Sequence, residues 1–168
     1  PHPALRTKCR PVASIDKDVH LAAGQMLELM YKYEGLGLAA PQVAIDYQMI
    51  CINFAGDAAE KDKEVVAINP VIVESKGVLK DREGCLSFPG LYQDVRRAKT
   101  VTVQFYTLEG VAKQMTCSDL ASRIWQHEID HVHGVLFIDK MGPLARIGSK
   151  KALEDFIADF EAKKKKGD

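Results

Sequence analysis

Gln126-His127-Glu128-Ile129-Asp130-His131 is the stretch around which this chain is read. Histidines four positions apart on a helix project from one face a turn from each other and can bind one metal ion. Glu128 follows His127 by one residue, about 100° around the helix, so its carboxylate can reach a water at the metal without being a ligand. The pentapeptide alone also occurs in unrelated chains as an ordinary solvated helix. Upstream, Ser118-Asp119 reads as an N-cap pair, and Gly134 ends the helix just past His133. Leu120 and Ile124 precede His127 on its own face, where ordinary core packing would place them.

Farther out, Val19, Ala22, Ala23, Met26, Leu29, Met30 and Tyr33 recur at threes and fours and predict a helix from Asp16 to Tyr33. It gives way to Gly35-Leu36-Gly37-Leu38-Ala39-Ala40-Pro41-Gln42, a loop whose glycines permit close backbone approach. Gln48 to Phe54, Val65 to Val73 and the neighbourhood of Val78 read as strands. Thr100 to Tyr106, a turn at Leu108-Glu109-Gly110, and Val111 to Cys117 read as a hairpin. A last helix spans Ser149 to Lys164, with Leu153, Phe156, Ile157 and Phe160 as its stripe and Lys163 to Lys166 as a basic tail. The pattern predicts one α+β domain over residues 1–168, with antiparallel sheets around a central metal-binding helix and helices at both ends.

The 168 residues are 46% hydrophobic and 27% charged, enough to bury a core. Basic and acidic residues balance at 23 each, so no global field draws the chain to DNA or to an anionic membrane. The apolar runs fall short of the ~20 residues of a membrane span, and no signal-like segment opens the chain. Cys9, Cys51, Cys85 and Cys117 lie at wide, irregular spacings that suit reduced thiols.

Two histidines do not close a metal site, and catalytic zinc usually takes three protein groups plus water. Cys85, Asp130, His133, Asp139 and the other cysteines are the candidates for the third. His133 is turned about 200° from His131 on an ideal helix, so it reads as surface or cap. Cys51 and Cys117 lie in strand-like surroundings and read as core, whereas Cys85 follows a glycine in Glu83-Gly84-Cys85-Leu86-Ser87.

Together and in this order, Gly35 to Gln42, Glu83 to Ser87 and Gln126 to His131 closely resemble the motifs of the peptide deformylase family, along essentially the whole chain. The resemblance implies a metal held by Cys85, His127 and His131, with Glu128 as the acid/base. It also implies an oxyanion hole from the Gln42 amide and the Leu86 backbone N–H. Gly37 is expected to let substrate approach the backbone, Glu83 to brace the loops, and Leu36, Phe88, Tyr92, Leu120 and Ile124 to line the substrate site. Tyr92 stands where many bacterial members carry arginine, which leaves Arg97 as a candidate charge contact to the peptide. Arg123, Trp125 and Leu136 to Met141 resemble the organellar type. Val132 stands where leucine usually follows the second histidine.

The implied reaction hydrolyses the formyl group from N-formylmethionine at the start of a new polypeptide. Water activated by the cation gives its proton to Glu128, which returns it to the departing amine. The family implies one divalent ion per chain, usually Fe(II), while the same donors accept Zn(II), Ni(II) or Co(II). The expected partners are formylmethionyl nascent peptides, with the basic tail as a contact to the ribosome and no DNA or membrane partner. The expected location is a bacterial cytoplasm, or a mitochondrion or plastid if a transit peptide is removed. Two other readings are a general metallopeptidase, and a non-catalytic domain with a structural metal. The first lacks a downstream third ligand. The second has no use for Glu128 and Gln42.

Overall fold

The computed structural model describes residues 2–166, and the side chains up to Lys165. Helix α1 (Lys17–Lys32) starts where the Asp16 carboxylate accepts the backbone N–H groups of Asp18 and Val19, 3.0 and 3.1 Å away. Strands β1 (Gly37–Ala39) and β2 (Met49–Asn53) follow, then the long β3 (Glu64–Lys76). A hairpin of β4 (Leu79–Gly84) and β5 (Tyr92–Arg97) stands apart from β6 (Thr100–Tyr106) and β7 (Ala112–Ser118). Helix α2 (Asp119–Val132) carries the two histidines, and α3 (Pro143–Lys166) completes the order. The larger sheet runs β1-β2-β3-β6-β7, and all its ladders are antiparallel, as is that of β4 with β5.

Strand alternation separates two apolar layers. Met49 and Cys51 of β2 face Val19, Ala23, Met26 and Met30 of α1. Ile50 and Ile52 face the other way and join Val101, Val103 and Phe105 beneath Ile124, Trp125, Ile129 and Val132 of α2. Burying each such side chain contributes roughly 1.5–3 kcal/mol, which fixes α2 on the sheet by its apolar face. The opposite, polar face of α2 is covered by the β4–β5 hairpin, so the helix is buried on both sides. A third cluster of Leu5, Phe88, Val95, Leu136, Phe137 and Met141 backs the hairpin and takes Leu153 and Phe156 of α3.

Several local expectations change. The strand expected around Val78 is β4, which starts at Leu79, but its pairing with β5 is absent from the sequence reading because Leu79-Lys80-Asp81-Arg82-Glu83-Gly84 is nearly all polar and shows no alternation. The strand expected at Val65 to Val73 continues to Lys76 through two register shifts, and Asn69 adopts φ 52° at the first of them. Ser118 sits at the N-cap of α2 without capping it, because its hydroxyl pairs with that of Thr100 at 2.8 Å. Helix α3 starts at Pro143 rather than Ser149, since proline at the first helical position lacks an N–H that would go unpaired there. Ile157 and Tyr33 lie off their stripes, 44% and 60% exposed. Among the described residues no helix is long and apolar enough to cross a membrane.

After α2 the chain is tied to its own beginning by Asp139, which accepts the Leu136 N–H at 2.8 Å and binds Arg6 through both guanidinium ends at 2.5 and 3.1 Å. Burial works against the Asp139 carboxylate, but Arg6 and the Leu136 N–H outweigh it and lower its pKa. A lowered folded-state pKa contributes stability above the unfolded value of about 3.9, and that contribution disappears as pH falls through the folded value. Asp139→Asn is therefore expected to lower stability at pH 7 by on the order of 0.5–1 kcal/mol, the scale of a partly exposed pair. In urea unfolding the difference should vanish in acid, at pH about 2.

Candidate metal centre

His127 and His131 lie one turn apart on α2, and Cys85 enters from the first position after β4. Cys85 Sγ and His131 Nε2 are 3.2 Å apart, as are the Nε2 atoms of His131 and His127. One donor atom from each of the three residues lies within 4.8 Å of the others. Corners of a tetrahedron around a zinc-sized ion with sulfur and nitrogen ligands are about 3.3–3.6 Å apart, so the donor set fits a metal. The other candidates are engaged elsewhere. Asp130 pairs with Arg97 and Lys140, Asp139 with Arg6, and His133 is an exposed C-cap. Cys51 and Cys117 are raised by burial to about 12 and 11 and are poor ligands where they stand.

His127 is oriented from behind. Its Nδ1–H donates to Glu83 Oε1 at 2.6 Å, which leaves Nε2 facing Cys85 and His131. Glu83 also accepts Arg97 Nη2 at 2.7 Å, Arg97 Nε at 3.1 Å and Arg123 Nη1 at 2.7 Å. Burial pushes the Glu83 carboxyl up, but the bonds from His127 and Arg97 prevail and hold it well below the usual carboxylate range. Burial alone would deprotonate His127, yet its contacts with Cys85 and Glu83 raise it to about 10 when no ion is counted. His131 is held well below its ordinary value by burial and by the charge of His127.

Glu128 is buried beside the ligands, and its Oε2 has no hydrogen-bond partner among the described residues. Burial, only partly offset by His127, raises its carboxyl to about 7. Glu128 occupies the space that a side chain at Gly37 would fill, since a Cβ there would lie 2.6 Å from its Oε1. The lack of a side chain at Gly37 thus makes room for this carboxylate beside the cleft that Gly37 also lines. Gln42 Oε1 accepts the Ala39 N–H at 2.8 Å, which turns its amide NH2 toward Ser87 Oγ at 3.2 Å and Cys85 Sγ at 3.7 Å. Leu86 and Ser87 form the corner of a turn closed by Phe88 N–H donating to the Cys85 carbonyl at 2.9 Å.

A cleft of about 870 Å³ opens over these residues, and Leu36, Gly37, Leu86, Tyr92, Leu120 and Ile124 all line it. Phe88 does not. It is 2% exposed and points into the third apolar cluster, with ring centroids 5.7 Å from both Phe137 and Phe156. Arg97 does not face the cleft either, because its guanidinium is buried between Glu83 and Asp130. The sequence reading missed that Arg97 and Arg123 share one carboxylate with a ligand histidine. The signal available was an arginine one turn before His127, on its face. Gly37→Ala is expected to displace Glu128 and lower any hydrolysis that uses this carboxylate about 10- to 100-fold with bound metal unchanged, checked by kinetics beside metal analysis.

The sequence model of the family described as polypeptide deformylase matches residues 1–146. A peptide deformylase of Rhodopirellula baltica is 38% identical over 99% of this chain and 83% of its own length. The chloroplastic peptide deformylase 1B of Oryza sativa is 36% identical over 96% of this chain and 60% of its own. The crystal structure of peptide deformylase from Plasmodium falciparum superposes with a TM-score of 0.92 at 37% identity, covering 96% of this chain and 95% of that one. Sequence and fold agree with the constellation at Cys85, His127 and His131, and this chain belongs to the polypeptide deformylase family.

Proposed function

We propose that the cleft over Cys85, His127 and His131 is the seat of the deformylation that membership of this family assigns to the chain. The reaction hydrolyses the formyl amide of N-formylmethionine at the start of a newly made polypeptide and releases formate and a free amino terminus. The observation that carries the reading is the convergence of three metal-ligating atoms, an unpartnered carboxylate and an amide donor on one open cleft.

Cys85, His127 and His131 hold the divalent ion, which when bound supplies Lewis acidity toward water and the formyl oxygen. Glu128 takes the proton of the attacking water and delivers it to the departing nitrogen, a role suited to a buried carboxyl whose pKa is raised to about 7. The Gln42 amide and the Leu86 N–H support the negative charge that develops on the formyl oxygen. Leu36, Leu120 and Ile124 form apolar walls for the methionine side chain, and Tyr92 flanks the peptide beyond it. One thiolate and two imidazoles suit Fe(II) and Zn(II), and accept Ni(II) and Co(II). The unit extends over residues 1–168.

Lys163, Lys164 and Lys165 are exposed at the end of α3 and offer the ribosome a phosphate-binding surface, while the side chain of Lys166 lies outside the described residues. The setting is a bacterial cytoplasm or, as for the rice relative, a plastid.

The decisive experiment restores Fe(II), Ni(II) or Zn(II) anaerobically to the stripped protein and follows formate from a formyl-Met peptide. One ion per chain and ion-dependent formate release are expected, and Cys85→Ala should lose both; full metal content in that variant would remove Cys85 from the ligand set. Glu128→Gln is expected to keep the ion and lose about 100-fold or more in kcat, on the scale of a general acid–base contribution. Near-normal turnover would exclude Glu128 as the proton carrier.

A further inference from the structure

We propose that Arg82, laid over the ring of Tyr92 at the outer rim of the cleft, is a specificity-determining residue that favours formyl peptides bearing a carboxylate about three residues from the formyl group. The proposal rests on the deformylase reading and extends it from the methionine to the residues after it.

Tyr92 faces Gly84 across the β4–β5 ladder, and a Cβ at Gly84 would lie 2.4 Å from the Tyr92 ring. The ring therefore lies flat on the backbone immediately before Cys85. The Arg82 guanidinium carbon stands 5.1 Å from the centroid of the same ring. Cys85, Gly84, Tyr92 and Arg82 thus form a continuous line from the metal ligands to the rim. Both Arg82 and Tyr92 line the cleft and are exposed.

Arg82 has no carboxylate of its own. Its partner across the ladder, Asp94, is held by Lys80 at 2.9 Å, and Asp81 accepts the backbone N–H of Arg82 at 2.7 Å rather than its guanidinium. Among the described residues Arg82 makes no ion pair. The cleft's other arginine, Arg123, is committed to Glu83 and to the Val95 and Leu79 carbonyls. Glu34, at the end of α1, lines the cleft without meeting Arg82, so the cleft carries a cation and an anion that do not neutralise each other. An arginine stacked on an aromatic face keeps its planar fork exposed and limits the freedom lost when it binds a carboxylate.

Distance sets the register. Arg82 precedes Cys85 by three residues of extended chain, about 10 Å at the rise of a strand. An extended peptide covers the same length in about three residues. A peptide whose formyl end lies at Cys85, His127 and His131 and that leaves along β4 presents its third residue at Arg82. Because the pair is exposed, the gain is modest, about threefold to fivefold, and salt screens it.

The test measures kcat/KM, by formate release from the metal-loaded protein, for four peptides. They are formyl-Met-Ala-Ala, formyl-Met-Ala-Glu and formyl-Met-Ala-Lys as C-terminal amides, and formyl-Met-Ala-Ala with a free carboxylate. Glu over Ala is expected at about threefold to fivefold, carried by KM and shrinking at about 0.5 M salt, with Lys below Ala. Within Arg82→Gln the Glu-to-Ala ratio should fall to near one, and within Arg82→Glu the order of Glu and Lys should reverse, whichever way the neutral peptide's own rate moves. A gain for the free-carboxylate peptide would identify the end of a short peptide as a second source of the same group. Equal values for all four peptides, or a Glu-to-Ala ratio that survives Arg82→Gln, would overturn the proposal. No formate from any of them would overturn the deformylase reading and this one with it.

Discussion

The carboxylate of Glu83 is the point through which the two halves of the site act on each other. It sits on the polar hairpin, 5% exposed, and accepts from a ligand histidine and from two arginines. Arg123 belongs to α2 and Arg97 to β5, so one buried anion joins the helix to both strands of the hairpin. A buried ionic web of this kind stabilises little over an apolar replacement, but removal of one partner strands the rest. Loss of Glu83 would leave the buried Arg123 without a counter-ion, leave Arg97 with Asp130 alone, and leave the His127 ring free to turn. The web therefore accounts for orientation of the ligand more than for stability of the fold.

Steric fit completes what the charges begin. The glycine-rich loop lies so close to the other two motifs that each glycine admits one foreign side chain. A Cβ at Gly35 would stand 2.8 Å from Leu86 Cδ1, and one at Gly37 would stand 2.6 Å from Glu128 Oε1. The same loop bends into the short helical turn that carries Gln42, whose carbonyl oxygen is held by the Ala39 N–H and whose amide then faces Cys85. Segments far apart in sequence interlock at single-atom distances, and this places the Glu128 carboxylate, the Gln42 amide and the Cys85 thiol around one point.

The parts of the molecule governed by local pattern were legible in the sequence. Apolar spacing located α1, and the period-two alternation of Val101, Val103 and Phe105 located β6. His127 and His131 stood out by their spacing, whereas Cys85 was one candidate among several until the family resemblance singled it out, because a lone cysteine after a glycine carries no period. Features that depend on partners distant in sequence escaped. Strand β4 is polar because its residues serve ion pairs and the cleft, so no alternation marks it. Phe88 follows the cysteine motif yet packs behind it, since the turn closed by Phe88 N–H and the Cys85 carbonyl reverses the chain away from the cleft. Arg97 looked like a free cation and is buried, because Glu83 and Asp130 supply two anions that become neighbours only when the hairpin packs on α2.

A charge count explains why this arrangement suits a cation. Glu83 and Asp130 are met by Arg97 and Arg123, and Asp130 also by Lys140, so the supporting web lends the centre no net negative charge. Within the centre, Cys85 binds a metal as thiolate and Glu128 acts as base when ionised, while His131 is kept neutral by burial and by its neighbour. A dication held by Cys85, His127 and His131 would offset the thiolate and leave one positive charge to stabilise Glu128 as carboxylate. The ion that completes the ligand set is thereby also the group that readies the base beside it, which a singly charged cation would not do.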